Sequence, residues 1–236
     1  MSIFKKKKSN GIKKYYLFGI KIFERKQKHK LSGNLTDNNI NLPNSGKFNI
    51  QIYGKNNEVY INPENKNSFL SLVIYGNNNK IIIDSVEPVF LKGTIGDGTT
   101  QANNTLFHIG ENSSVNKMFF ILMDDGSSIK IGQNCMISCD VEMWASDTHS
   151  IFDESGTLIN LGKEIIIGDS VWIGKDVKIL KNTAIPNGCI VGMGSTVSKK
   201  FTTPNSIIAG IPAKVVKENI SWSRQRPNEF LNKTHQ

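Results

Sequence analysis

Residues 167–197 read IGDSVWIGKDVKILKNTAIPNGCIVGMGSTV and repeat with a period of six residues. An aliphatic side chain opens each repeat, and a mostly small side chain follows it four positions later. The first series is Ile167, Ile173, Ile179, Ile185, Val191 and Val197, and the second is Val171, Val177, Thr183, Cys189, Ser195 and Phe201. This period fits neither a helix nor an ordinary strand. It is typical of a β-solenoid, in which flat strands meet at corners and three faces close one coil.

The same register continues upstream with breaks. It is kept by Ile109, Val115 and Ile121 and again by Ile131, Ile137 and Met143. Residues 52–61 and 74–83, IYGKNNEVYI and IYGNNNKIII, repeat one another, and their Asn and Gly residues favour left-handed corners. We therefore predict an all-β solenoid domain over residues 48–203, with loops that leave the coils near 98–107 and 149–164. Such loops often carry a binding site, although a purely structural solenoid is the alternative interpretation.

The positive charge of the chain is confined to its N-terminal end. Residues 1–30 hold eleven Lys or Arg and one acidic residue, Glu24, which gives +10, whereas eighteen basic and nineteen acidic residues in the remainder give −1. Residues 1–47 are predicted to form a basic arm and cap. The arm caps the first coil, forms a disordered tail, or contacts an anionic membrane surface through residues 1–30. No stacking platform or nucleic-acid motif accompanies the lysines, so a nucleic-acid partner is not expected.

The cysteines bear on the compartment and on metal binding. Cys135, Cys139 and Cys189 are odd in number, and Cys189 stands at a small-residue position of the repeat, which favours reduced thiols in the cytoplasm. Cys135 and Cys139 lie in solenoid register, so packing is favoured over half of a metal site. No apolar run is long enough for a transmembrane helix, and the basic start lacks the apolar core of a signal peptide. A cytoplasmic protein, peripheral at most on the inner face of the membrane, is expected.

Residues 204–236 are predicted to form an extension beyond the coils. The segment AGIPAKVVKEN leads into SWSRQRPNEFLN, a mixture of apolar and charged residues after a proline turn. This pattern indicates a short helix that covers the last coil, with Trp222, Phe230 and Leu231 as its buried contacts.

The segment 144–160, WASDTHSIFDESGTLIN, follows a regular coil and contains the residues best suited to catalysis. His149 is set among carboxylates there, and imidazole is the side chain best matched to accepting a proton near neutral pH. Asp147 and Asp153 are candidates for contacting an acceptor or for orienting the imidazole. Trp144 is a candidate wall of an acceptor pocket, because sugar rings stack on aromatic side chains, although a core position is equally open.

Four blocks in fixed order resemble a known family. They are DTHSIFDESGTLIN, KEIIIGDSVWIG, VGMGSTVSK and AGIPAKVVK. Together they resemble the hexapeptide-repeat acyltransferases, most of all the O-acetyltransferases of capsular sialic acid and the galactoside and maltose acetyltransferases. The resemblance covers most of the chain beyond the arm.

The resemblance implies a fold, an activity and a site. The fold would be a left-handed parallel β-helix, assembled as a homotrimer with acetyl-CoA lying between subunits. His149 would take the proton from an acceptor hydroxyl, which attacks the thioester directly, without an acyl-enzyme and without a metal. The residues that match donor-site positions of the family are Trp172, Lys175, Met193, Ser198, Lys199 and Lys217.

Competing functions differ in their sequence requirements. The expected activity is O-acetyl transfer to a sugar hydroxyl of a bacterial surface glycan, with sialic acid as the leading acceptor. Acetyl transfer to the amine of a nucleotide-linked sugar usually comes with an N-terminal nucleotide-binding fold, and no glycine-rich turn precedes Phe48. A zinc-dependent hydratase would need three histidines, and only His108 and His149 stand near the coils. A noncatalytic scaffold predicts no acetyl-CoA binding.

Overall fold

A computed structural model describes residues 4–9, 12–17, 20–26 and 29–231 of the chain. Its strands are β1 (Phe4–Ser9), β2 (Ile12–Leu17), β3 (Ile20–Lys26), β4 (Lys30–Gly33), β5 (Asn39–Asn41), β6 (Lys47–Tyr53), β7 (Glu58–Ile61), β8 (Phe69–Tyr75), β9 (Lys80–Ile83), β10 (Val89–Ile95), β11 (Leu106–Ile109), β12 (Ser114–Leu122), β13 (Ser128–Ile131), β14 (Met136–Ile137), β15 (Val141–Trp144), β16 (Glu164–Ile167), β17 (Trp172–Ile173), β18 (Lys178–Leu180), β19 (Thr183–Ile185), β20 (Ile190–Val191), β21 (Thr196–Val197), β22 (Ile207–Gly210) and β23 (Ala213–Lys217). One helix, α1 (Pro227–Leu231), follows them in the described part.

Parallel strands stack into a three-faced solenoid of about eight turns. The first face carries β14, β17, β20 and β22, the second carries β15, β18 and β21, and the third carries β13, β16 and β19. In the lower coils the first two faces are continuous, since β12 pairs with both β14 and β15. Residues 145–163 leave the solenoid between the second and third faces, and we name this edge the loop corner.

The six-residue register forms the core. All six aliphatic residues of the series from Ile167 to Val197 are at most 2% exposed. In a lower coil, the rings of Phe107 and Phe120 stack in the interior of the solenoid with their centroids 3.9 Å apart. Gly93 faces them, and a Cβ atom built there would lie 2.1 Å from the ring of Phe120. The small residue therefore provides the space that the aromatic pair occupies.

Asparagines turn the corners and connect the coils. Seven of those with positive φ are Asn56, Asn78, Asn104, Asn112, Asn134, Asn182 and Asn205. This is the conformation that short polar side chains tolerate best after glycine. Neighbouring amides form a ladder along the axis, in which Asn57 Nδ2 donates to Asn38 Oδ1 at 2.9 Å and to the carbonyl of Gly76 at 3.0 Å. The ladder satisfies polar groups that the corners would otherwise bury without partners.

The parallel pairing begins earlier than the six-residue register indicates. The strands β4 and β5 lie within residues 1–47 and pair in parallel with β6 and β7, so the coils start at Lys30 and not at Phe48. These two strands are short and largely exposed, and therefore lack the apolar pattern that reveals a coil in the sequence. The strands β1, β2 and β3 form a separate antiparallel sheet. The side chains of residues 1–28 lie outside the described residues, and with them the predicted cap and membrane contact.

The C-terminal segment differs from the prediction in its position. A short helix is present, but Leu231 within it is 59% exposed, and Trp222 lies against the side of the solenoid instead of over its last coil. After the antiparallel pair of β22 and β23, the chain passes to the side of the solenoid, where Ile220 and then Trp222 bond to carbonyls of successively lower coils. The side chain of Phe230 lies outside the described residues. No helix in the described part of the chain has the length and apolarity needed to cross a membrane.

Candidate active site

His149 stands on a loop that projects from the loop corner. The loop closes as a small hairpin, with a bridge between Phe152 and Leu158 and a hydrogen bond from the Ile159 amide to the Ile151 carbonyl at 3.0 Å. The His149 side chain is exposed, and none of the described residues is hydrogen-bonded to its imidazole. The ring is therefore accessible to a substrate and not packed into the core.

Asn160 holds the backbone that directly follows the His149 side chain and also bonds to the Asp147 side chain before it. Its Nδ2 donates to the carbonyl of His149 at 2.8 Å and to Asp147 Oδ2 at 2.9 Å, and its Oδ1 accepts the amide of Ile151 at 2.8 Å. Lys181, one coil higher at the same corner, donates to Asp147 Oδ2 and to the carbonyl of Asn160. These contacts join the outgoing and returning ends of the loop to the solenoid.

The ion pair at the base of the loop persists at neutral pH. The hydrogen bond from Lys181 is the largest cause that lowers the pKa of Asp147, and Asn160 adds to it. A carboxyl whose pKa is lowered on folding contributes stability above its unfolded pKa and loses it as pH falls through the lowered value. The anchor of the His149 loop is therefore intact at neutral pH and is released only in acid.

Neither predicted carboxylate contacts the imidazole. Asp147 is committed to Lys181 and Asn160. Asp153 Oδ1 accepts hydrogen bonds from the Ser155 amide at 2.9 Å, from the Ser155 hydroxyl at 2.6 Å and from the Thr157 amide at 2.9 Å. The bond from the Ser155 hydroxyl is the largest cause that lowers the pKa of Asp153. Asp153 thus shapes the tip of the hairpin.

Trp144 ends the second-face strand from which the loop departs. Its Nε1 donates to Glu142 Oε2 at 2.9 Å, and its ring meets Phe119 edge-on with centroids 5.9 Å apart. The side chain is half-buried on the outer surface of β15. It therefore lies on the solenoid exterior and not in its core, five residues before His149.

Three of the predicted donor-site residues lie around the edge between the first and second faces. Trp172 on β17 is 36% exposed, and Lys175 follows it at the edge. Met193 lies one coil above Lys175 and is 74% exposed, and the amide of Gly194 donates to the Lys175 carbonyl at 2.9 Å. We name this edge the Met193 corner.

The remaining donor-site candidates lie elsewhere. Ser198 and Lys199 follow β21 at the loop corner and are exposed, with the Lys199 ammonium 5.3 Å from the centre of the Phe201 ring. Lys217 ends β23, opposite Ile207 on the first face. Within one chain the second face, occupied by β18 in this coil, separates Trp172 from the corner that carries His149.

The described residues form no metal site. They contain no group of three or more His, Cys, Asp or Glu side chains arranged to hold a metal ion. His108 is paired with Asp84, Nε2 to Oδ2 at 2.8 Å, on the third face. Cys135 and Cys189 are buried free thiols, and Cys139 is a half-buried one. Burial is the first cause that raises the pKa of Cys135, which keeps it protonated.

Comparison with known proteins identifies the family. No family model matches the chain. Over 205 residues the chain is 36% identical to the polysialic acid O-acetyltransferase of Neisseria meningitidis, an alignment that covers 84% of this chain and 91% of that protein. The chain belongs to the polysialic acid O-acetyltransferase family.

Solved structures agree with this membership. The polysialic acid O-acetyltransferase OatWY superposes with a TM-score of 0.72 at 30% identity, over 87% of this chain and 96% of its own. The polySia specific acetyltransferase NeuO gives the same TM-score and identity and is covered over 93% of its length. The predicted left-handed parallel β-helix and the predicted enzyme class, an acyltransferase, are confirmed.

Sequence reasoning missed two residues that anchor the His149 loop. Asn160 was part of the block that carried the resemblance, but its amide had no assigned partner. Lys181 stands outside all four blocks, and only the coil geometry brings it next to the loop. The repeat register could have located Lys181. It follows Leu180 at the same corner at which Ala145 follows Trp144 in the coil below.

Proposed function

We propose that the chain transfers the acetyl group of acetyl-CoA to a hydroxyl of a sugar in a bacterial surface polysaccharide, with sialic acid as the leading acceptor. The observation that carries this proposal is the exposed imidazole of His149 on an anchored loop, in a chain 36% identical to a polysialic acid O-acetyltransferase. Anchoring matters because a base must be held within hydrogen-bond reach of the proton that it removes.

His149 acts as the general base in this proposal. One imidazole nitrogen takes the proton of the acceptor hydroxyl while that oxygen forms a bond to the thioester carbonyl carbon. The carbon–sulfur bond then breaks, and the proton passes from the imidazolium to the departing thiolate of CoA. Acetyl ester and free CoA are the products, and no acyl-enzyme forms. Positioning the hydroxyl and the thioester side by side supplies much of the rate enhancement.

The donor site is proposed to lie between two copies of the chain. Trp172, Lys175 and Met193 lie on or beside the Met193 corner of one copy, and the loop corner of the next copy brings His149, Ser198 and Lys199. Lys217 extends the donor site of the first copy toward the CoA phosphates, where a flexible positive charge is useful. The arrangement explains why the predicted donor residues lie on two different edges of a single chain.

Exposed apolar side chains support a homotrimer with shared sites. The loop that carries His149 exposes Ile151, Phe152, Ile159 and Leu161, each by more than half of its surface. Four large apolar side chains on one hairpin are unusual for a surface that stays in water. A neighbouring copy would bury them and place His149 opposite its Met193 corner.

The acceptor is proposed to enter beside Trp144. The indole lies on the exterior of β15, directly before the loop, where a sugar ring can stack on its exposed part. Asp147 and Asp153 remain predicted acceptor contacts. Their free lone pairs can accept sugar hydroxyls, although both carboxylates also hold the loop together.

The compartment proposed is the cytoplasm, where acetyl-CoA is available. The three free cysteines favour a reducing environment. Contact of residues 1–30 with an anionic membrane surface, and hence a peripheral position on its inner face, stays a prediction from the charge of that segment.

Radiolabelled acetyl-CoA tests the activity. We expect the label to pass to sialylated glycans and to be released by hydroxylamine, since esters are cleaved and amides resist. Label that resists hydroxylamine would indicate an amine acceptor and contradict O-acetyl transfer. No label in any of a panel of sialylated and neutral glycans would contradict the proposed function as a whole.

His149→Ala tests the mechanism. We expect turnover to fall at least about a hundredfold while acetyl-CoA affinity is unchanged, because the variant loses the base and keeps the donor site. Steady-state kinetics and calorimetric titration measure the two quantities. Glu154→Ala, an exposed change in the same loop, is the control and should behave as wild type. Weaker binding with unchanged turnover would assign His149 a positioning role.

A further inference from the structure

The segment after β23 runs down the outside of the solenoid along the edge between the third and first faces. We call residues 218–226 the tail strap. The amide of Ile220 donates to the carbonyl of Asn205 at 2.9 Å, and Trp222 Nε1 donates to the carbonyl of Ser170 at 2.7 Å. Each contact lies on a lower coil than the one before it, so the strap descends the coils as the chain proceeds.

Arg224 fixes the lower end of the tail strap. Its guanidinium donates to the carbonyl of Cys135 at 2.7 Å, to the carbonyl of Asn112 at 3.3 Å and to Ser114 Oγ at 2.8 Å. The three acceptors belong to two successive coils. The guanidinium of arginine is planar and has several N–H donors, so it can bond to all three acceptors at once. The single ammonium of a lysine could not reach them together.

The strap brings a second tryptophan to Trp172. The rings of Trp172 and Trp222 lie with their centroids 6.0 Å apart at an angle of 46°. The register neighbours of Trp172 on the first face are Met136 and Ile190, one coil below and one above. Trp222 supplies the lateral contact that these two cannot, since they stand directly beneath and above the indole.

We infer that Trp222 is a positioning residue, which holds the indole of Trp172 in the orientation that the donor site requires. The inference rests on the proposed function, in which Trp172 lines the acetyl-CoA site. A half-exposed indole on a flat face has more than one open rotamer, and a tilted contact from a neighbouring aromatic ring selects one of them. Arg224 contributes by keeping the strap, and so Trp222, in place.

A double-mutant cycle separates positioning from simple stabilisation of the tail. Trp222→Ala is made in the wild-type chain and in Trp172→Ala, and acetyl-CoA affinity is measured by calorimetry together with kcat and KM. In the wild-type background we expect about tenfold weaker acetyl-CoA binding. The KM for acetyl-CoA should rise accordingly, and kcat should change little. In the Trp172→Ala background the same substitution should change affinity less than about twofold.

Controls come from the strap itself. Arg226→Ala removes a guanidinium that makes no hydrogen bond within the described residues, and it should leave affinity unchanged. Trp222→Phe keeps an aromatic ring and loses the bond to Ser170, so it should restore most of the affinity that Trp222→Ala loses. Thermal unfolding of each variant reports whether the solenoid is intact.

Three results would overturn the inference. They are an unchanged affinity in Trp222→Ala, an equal loss in both backgrounds, and wild-type chain that does not bind acetyl-CoA at all. Only the last would also contradict the proposed function. Wild-type chain that binds acetyl-CoA but acetylates no glycan would contradict the proposed function alone, because the binding cycle would still decide the role of Trp222.

Discussion

At the scale of single residues, the position of His149 depends on side chains that are not themselves reactive. Asn160 bonds to the carbonyl of His149 and to the amide of Ile151, so it holds the backbone that directly follows the imidazole. Lys181 ties this unit to the coil through Asp147. The ring itself is exposed and has no partner among the described residues, so its placement comes from the backbone alone.

Asn160→Ala should therefore lower turnover without removing the base. The variant loses three hydrogen bonds, and we expect kcat to fall about ten- to a hundredfold, since small displacements of a catalytic group are costly. The KM for acetyl-CoA should stay unchanged, because Asn160 bonds to none of the predicted donor-site residues. Steady-state kinetics measure both. Ser150→Ala, an exposed change next to His149, is the control, and equal effects of the two variants would refute the anchoring role.

The candidate base could be selected from the sequence, and the residues that hold its loop could not. His149 could be selected because the chain has four histidines, of which one stands in an acidic segment that interrupts the repeat. The contacts of Lys181 with Asp147 join residues far apart in sequence, and no local pattern specifies such a pair. Trp222 was predicted to be buried over the last coil, whereas its partner is Trp172 on a lower coil.

At the scale of elements, the six-residue register identified the regular coils because each inward position must be apolar. The prediction failed for β4 and β5, because these strands are largely exposed and lack the inward apolar pattern that marks a coil in the sequence. The prediction also missed how small and large side chains fit together in the interior of the solenoid. Gly93 breaks the apolar pattern of β10, and only the structure reveals that the rings of Phe107 and Phe120 fill the space beside it.

Gly93→Ala should destabilise the solenoid. The new Cβ would lie 2.1 Å from Phe120, so the ring must move within a closely packed core, at a cost of about 1–3 kcal/mol in the free energy of unfolding. Chemical denaturation measures the loss. Phe120→Leu in the same chain should recover part of it by making room. Gly98→Ala, where a Cβ meets nothing within 4 Å, is the control, and equal stability of the two alanine variants would contradict this packing argument.

At the scale of the whole molecule, the proposed site needs two copies of the chain. His149 leaves the loop corner and Trp172 lies on the first face, with the second face between them. The apolar hairpin around His149 gives a physical reason for a neighbour to pack there. Two impaired chains with different lesions should then complement each other, because a mixed assembly can combine the intact halves.

Co-expression of His149→Ala with Trp172→Ala tests this arrangement. In a random mixture at equal amounts, about a quarter of the shared sites would pair an intact His149 from one copy with an intact Trp172 from the next. We expect the whole purified mixture, including the unmixed assemblies, to reach about that fraction of wild-type activity, measured at acetyl-CoA concentrations below KM.

The matched control is co-expression of His149→Ala with Asn160→Ala. Both lesions lie in one loop, and each site takes that loop from a single copy, so mixing cannot assemble an undamaged loop. This mixture should show only the mean of its two parents. If the first mixture also gave only that mean, His149 and Trp172 would have to serve the same site from one chain. The second face of the solenoid would then have to be spanned by the substrate instead of by the assembly.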